Sequence, residues 1–335
     1  NWTSGAYVQD SEGLWPTEGE FTFAAVLPEE YELAEETSPI EAVVSLDGDA
    51  VMELADPQSD FILYTSDGNN DLYYYMDNGE LKHQGSEIAG VVVTKDSSSE
   101  TYRMSLSNTT LNRLAFRQKT FEVTLTGTVN IDMQRSSNTP LMVYEGANVE
   151  IKGSGTMNIQ NHDSRSAGIY VGSGSSKLII NCSGGVNIQT EFKDTDKEGV
   201  NGVILNTGTL QIKQGTVSVS GNSPYGLCNA GKLTIDTGAC LKLSSAGMYN
   251  DSRSNIENNG RLEVNRHSAL KSTSMLVNNG QWIQNALVES AESPASSATV
   301  IKVGSGGTIE GNGSIAVGVK PDSGFTSTSS TKTLS

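Results

Sequence analysis

One spaced motif recurs along the second half of this chain and limits what it can fold into. An apolar residue, Asn, Gly and then Leu or Trp occupy every second position in Ile204–Ile212, Leu227–Ile235, Ile256–Val264 and Leu276–Trp282. The copies start 23, 29 and 20 residues apart. Repeats of that length mark solenoids, in which each unit buries its apolar face only against its neighbours. Such a chain presents a long, repetitive surface suited to a repetitive polymer.

Earlier segments carry the same texture without the full motif. Leu106, Leu111, Val123, Leu125, Val129 and Ile131 alternate with polar residues at strand period. Leu141, Val143, Val149, Ile151, Met157 and Ile159 do so again, followed by Ile169, Val171, Leu178, Ile180, Val186 and Ile188. Each set divides into three short runs separated by Gly or Asn turns. Three strands per unit of roughly 20–30 residues predicts an all-β chain: a right-handed, single-stranded parallel β-helix stacked about 4.8 Å per turn. The one helical candidate, 285–297, is short and weakly periodic.

The charge is unevenly placed. Residues 1–100 hold 22 Asp and Glu against Lys82 and Lys95, whereas the remainder carries 20 Lys and Arg against 17 acids, so the net −17 belongs to the N-terminal part. Three parts are therefore expected: an acidic, β-rich N-terminal cap or small domain over 1–100, the β-helix over 101–320, and a Ser/Thr-rich tail over 321–335. A solenoid needs a cap, since its first turn leaves an open strand edge. The acidic part would repel phosphate, which argues against a nucleic-acid partner. No run of eighteen apolar residues exists, so membrane insertion is not expected. The start at Asn1 has neither Met nor a basic-then-apolar leader, as in a trimmed secreted fragment. Three cysteines, Cys182, Cys228 and Cys240, make no disulfide framework and no metal spacing; Cys228, at a repeat position held by Leu205 and Val277 in sister copies, reads as a small packed hydrophobe.

Stacking the motif copies predicts specific columns. Ile204, Leu227, Ile256 and Leu276 should share one interior file, and Leu210, Leu233, Leu262 and Trp282 another. Each buried side chain would contribute roughly 1.5–3 kcal/mol. Asn206, Asn229, Asn258 and Asn278 should form an amide ladder. Gly208, Gly231, Gly260 and Gly280 should mark a turn that needs positive φ.

The segments 149–159, 167–172 and 208–212 resemble right-handed β-helix proteins exported by bacteria: pectate-lyase-like folds, autotransporter passengers and, most nearly, carbohydrate-binding surface proteins of Firmicutes. The resemblance covers about 103–318. It implies an extracellular or cell-surface setting and polysaccharide ligands, and it carries over no catalytic motif.

If the four-residue column holds, turns at one angular phase line up along one edge. On that basis Arg135, Arg165, Lys197, Arg253 and Lys271 form a broken basic row beside Tyr249 and Phe192. Guanidinium and ammonium groups with aromatic faces suit an acidic sugar polymer. Asp163, Asp194, Asp196 and Glu198 offer the oxygens that calcium would take. The leading expectation is an extracellular, non-catalytic polysaccharide-binding or adhesion protein reading plant or acidic glycans along that edge. Two alternatives stand beside it. One is a calcium-dependent lyase or a glycoside hydrolase acting on uronate polymers. The other is a structural adhesin that contacts host protein or its own copies. Tyr73, Tyr74 and Tyr75 form a further aromatic candidate, in which alternation turns Tyr74 away from its neighbours.

Overall fold

In the computed structural model the described residues are 61–134, 139–162, 166–172, 174–191, 202–221, 223, 225–244, 247–266, 268–270, 273–287, 301–303, 308–320 and 330–333. They belong to one compact unit, Ala55–Ser335. It is all-β, with no helix among the described residues. The helical candidate at 285–297 begins instead in the strand Gln281–Leu287; its remainder lies outside the described residues.

The strands form three long ladders. The first runs through Arg113–Arg117, Leu141–Tyr144, Ile169–Val171, Ile204–Asn206, Tyr225–Asn229, Gly247–Asn250, Ser268–Leu270 and Ile301–Val303, all parallel. The second runs through Asn148–Gly153, Lys177–Cys182, Thr209–Gln214, Lys232–Ile235, Asn255–Asn258, Met275–Asn278 and Thr308–Glu310. The third runs through Thr156–Asn161, Val186–Thr190, Thr216–Gly221, Cys240–Leu243, Arg261–Val264, Gln281–Leu287 and Ser314–Lys320. The long strands Thr101–Leu111 and Thr120–Met133 serve the second and third ladders together, which joins those two into one 18-stranded sheet. The chain visits the ladders in the order first, second, third, then returns to the first, a pattern compatible with a parallel β-helix.

Antiparallel strands flank the parallel body. Leu63–Ser66 pairs with Arg113–Arg117 and with Asp71–Asp77, which pairs with Glu80–Gln84. Val91–Lys95 pairs with Thr101–Leu111. The described part of the acidic segment is thus hydrogen-bonded into the same sheets as the repeats. At the other end, Ser330–Thr333 pairs with Ser314–Lys320.

Alternation sets what is buried. All eighteen apolar residues of the three earliest sets, Leu106 through Ile188, are buried. The interior columns differ from the predicted ones, however. Leu114, Leu141, Ile169, Ile204, Leu227 and Met248 share the first column. Phe121, Val149, Leu178, Leu210, Leu233, Ile256 and Leu276 share the second. Val129, Met157, Val186, Val217, Leu241, Leu262 and Trp282 share the third. Ile204 and Leu227 therefore do not stack on Ile256 and Leu276. Between the second and third copies the motif moves on by one ladder.

The reason lies at the corners. Two different corners use the same chemistry. Asn206 and Asn229 close strands of the first ladder, and Asn258 and Asn278 close strands of the second. One amide ladder becomes two. Asn206 Nδ2 donates to Asn229 Oδ1 at 2.6 Å, and Asn229 Nδ2 to Asn250 Oδ1 at 2.7 Å. Separately, Asn258 Nδ2 donates to Asn278 Oδ1 at 2.6 Å. These amides also clamp the next repeat: Asn206 donates to the Lys232 carbonyl, Asn229 to that of Asn255 and Asn258 to that of Gln281.

The motif glycines are needed for space, not for handedness. Gly208, Gly231, Gly260 and Gly280 lie outside the positive-φ set. A Cβ on Gly231 would run into the Gly208 carbonyl, and one on Gly280 into that of Gly260. Neighbouring corners touch backbone to backbone, and only a residue without a side chain fits.

Cys182, Cys228 and Cys240 are all free, the first two buried and the third half-buried. Burial pushes the Cys228 thiol up to about 12, with the Asp251 carboxylate adding to the effect. Two tests follow from this packing. Gly231→Ala should lower stability by about 2–3 kcal/mol in urea unfolding. Gly238→Ala, with positive φ but open space around it, should cost only about 1–2 kcal/mol. With a thiol-specific chromogenic reagent at pH 8, Cys182 and Cys228 should react only after denaturation.

Candidate functional site

Strands of the third ladder point their alternate side chains outward, and parallel register lines those side chains up. One outward row reads Thr110, Asn130, Asn158, Asn187, Ser218. The next reads Asp132, Gln160, Gln189, Ser220. With Ser244, these residues line a groove of about 540 Å³ on the outer face of the sheet. Its floor is the backbone of Ile131, Ile159, Ile188 and Val219, whose side chains face the core.

The groove is polar and almost uncharged. Asn158 Nδ2 donates to Asn130 Oδ1 at 3.0 Å, and Asn187 Nδ2 donates to Asn158 Oδ1 at 2.9 Å. The middle amide, Asn158, so spends one N–H and one lone pair on the chain and keeps one of each for an external group. Gln160 and Gln189 are exposed beside them. Asp132 is the single carboxylate among the lining residues, and it is engaged: Gln134 donates to it at 2.9 Å and His162 Nε2 lies 3.2 Å away. His162 Nδ1 sits 3.0 Å from Glu191, so the ring bridges two carboxylates at one end of the groove. Hydrolysis by a pair of free carboxylates has no such pair among these lining residues.

The residues of the predicted basic row lie in segments that connect different pairs of ladders. The segments holding Arg135, Arg165 and Lys197 join the third ladder to the first, whereas those holding Arg253 and Lys271 join the first to the second. Arg135, Arg165, Lys197, Lys271 and Phe192 themselves lie outside the described residues, as do Asp163, Asp194, Asp196 and Glu198. Arg253 is exposed, at φ 65°. Tyr249 is only 6% exposed; it packs edge-on against Tyr225 at 5.4 Å, in a cluster with Cys228 and Leu205 outside the main core. Among the described residues no group of three or more His, Cys, Asp or Glu is arranged to hold a metal ion.

The amide rows left a signal in the chain. Asn-Ile-Asp at 130–132, Asn-Ile-Gln at 158–160 and Asn-Ile-Gln at 187–189 recur 28 and 29 residues apart. Alignment on the Asn and Gly of the corners passes over them, because those copies begin only at Ile204.

Outward and inward amides should behave differently when removed. Asn158→Ala and Gln189→Ala should leave stability within about 0.5 kcal/mol of the parent. Asn229→Ala should cost about 2 kcal/mol or more in urea unfolding, because the buried amides of Asn206 and Asn250 lose a partner. No protein-family model, curated protein or solved structure matches this chain.

Proposed function

We propose that this protein is a non-catalytic polysaccharide-binding module of the cell surface or the secreted fraction. Its ladders wind as a right-handed parallel β-helix of the pectate-lyase-like kind, and its ligand lies along the outer face of the third ladder. One observation carries the reading: two register-aligned rows of amides and hydroxyls share one open groove. Spare amide N–H and C=O groups match the paired donor and acceptor character of sugar hydroxyls. Repetition of the rows at about 4.8 Å suits a ligand that is itself repetitive. The near absence of charge in the groove favours a neutral, hydroxyl-rich chain over a polyanion there.

Affinity electrophoresis and calorimetry against a panel of soluble neutral polysaccharides (β-glucan, xylan, galactomannan), with polygalacturonate alongside, test the reading. At least one neutral polymer should bind. The double variant Asn158→Ala, Gln189→Ala should weaken that binding roughly tenfold or more, as expected for two lost hydrogen bonds of about 1 kcal/mol each. Absence of binding to every neutral polymer, or an unchanged affinity in the double variant, defeats the proposal. Release of unsaturated products absorbing in the ultraviolet would show a lyase instead.

A further inference from the structure

The outer face of the first ladder carries a second constellation, on a different ladder from the amide groove. Phe61, Tyr64 and Tyr73 pack together there, with ring centroids 4.8–6.1 Å apart. Their strands are antiparallel neighbours in register, Tyr64 opposite Tyr73 and, on its other side, Ala115. Two arginines of the next strand reach over these rings. Arg117 lies 4.9 Å from the Phe61 centroid and 5.8 Å from that of Tyr144, and Arg113 lies 5.4 Å from that of Tyr64. All four rings are half-buried, leaving part of each open to solvent.

The two guanidinium groups differ in their counter-charges. Arg117 is neutralised by Glu145 at 2.7 Å. Arg113 has no carboxylate within ion-pair distance among the described residues. One Nη donates to the sulfur of Met142 at 3.0 Å, a weak acceptor, and its Nε is buried with no hydrogen-bond partner. The nearby Asp71 carboxylate accepts from the Tyr64 hydroxyl at 2.7 Å. A half-buried cation over an aromatic face gains something from the ring, but a guanidinium is best satisfied by a planar anion that accepts two of its N–H groups. Partial rings around such a cation offer flat apolar surfaces of the kind that suits the C–H face of a saturated ring.

We propose that Arg113, with the Tyr64 ring beneath it and Tyr73 packed beside that ring, is a second glycan site, which takes a sugar ring bearing an anionic substituent, carboxylate or sulfate. The anion pairs with the guanidinium and the ring lies on the tyrosine faces. This site goes beyond the neutral groove and does not depend on it. The whole chain carries a net charge of −17, so a polyanion is repelled in general and held only where a local cation is presented.

The test uses the full chain and three oligosaccharide probes of similar length: oligogalacturonate for carboxylate, a sulfated dextran fragment for sulfate, and unmodified dextran as the neutral control. Calorimetry at low salt should show binding of one or both anionic probes. Arg113→Gln should weaken it at least tenfold. Arg113→Lys, which keeps the charge and loses the planar fork, should recover only part of it. Arg103→Gln removes an exposed cation from another ladder and should change affinity less than twofold. The groove variant Asn158→Ala, Gln189→Ala should bind the anionic probe as the parent does, so loss of the groove reading and loss of this one are separable. If Arg113→Gln does not fold, Tyr73→Ala replaces it and should also weaken binding. The proposal is overturned if neither anionic probe binds, if Arg113→Gln binds like the parent, or if Arg103→Gln loses as much.

Discussion

Parallel pairing in constant register is the constraint on which the rest of this structure depends. When each strand lies beside its equivalent one repeat away, every side chain is placed on its own counterpart. Inward, the result is columns such as Phe121, Val149, Leu178, Leu210, Leu233, Ile256 and Leu276, all buried. Outward, the same register places Asn130, Asn158 and Asn187 in one line. A slip of one residue would turn every apolar side chain to water and dissolve core and groove together. The core and the candidate ligand surface are therefore two consequences of one hydrogen-bonding pattern.

The corners protect that register. An amide buried without partners is costly, and here Asn206, Asn229, Asn250 and Asn258 are each held by a neighbour along the stack and by a carbonyl of the next repeat. The ladders begin where an apolar residue precedes the first Asn: Val171 beneath Asn206, and Ile235 beneath Asn258. The Oδ1 atoms of those two first members accept no hydrogen bond, as a ladder end requires. Beside them, glycines let backbones touch. Substituting any of them would wedge adjacent repeats apart at the point where the spacing is set.

The two outer surfaces answer to different chemistry. The third ladder offers neutral amides in parallel rows, and the start of the first ladder offers aromatic rings around a guanidinium without a carboxylate. Both lie on rigid strands, where register holds the side chains in place, rather than on the unequal connecting segments that the sequence alone makes attractive. Tyr249 illustrates the difference. It reads as a sugar platform in the chain, but on an outward strand position it is covered and packs with Tyr225 and Cys228.

Period-two alternation and the spacing of the turns were enough to establish the all-β class, three strands per repeat and the buried set from Leu106 to Ile188, because burial on a strand depends only on local parity. Tyr74 turning into the core beside outward Tyr73 follows from the same parity. Which corner a motif occupies was not legible: the amide clamp and the backbone contact are identical in kind at both corners, so the same letters describe Asn229 and Asn258. The role of the glycines escaped for a related reason, since a clash with a carbonyl twenty residues away leaves no mark in the local sequence. Only the tertiary structure decided which columns exist, which outward rows share a groove and which arginine has a partner, because each is fixed by contacts between repeats rather than within one.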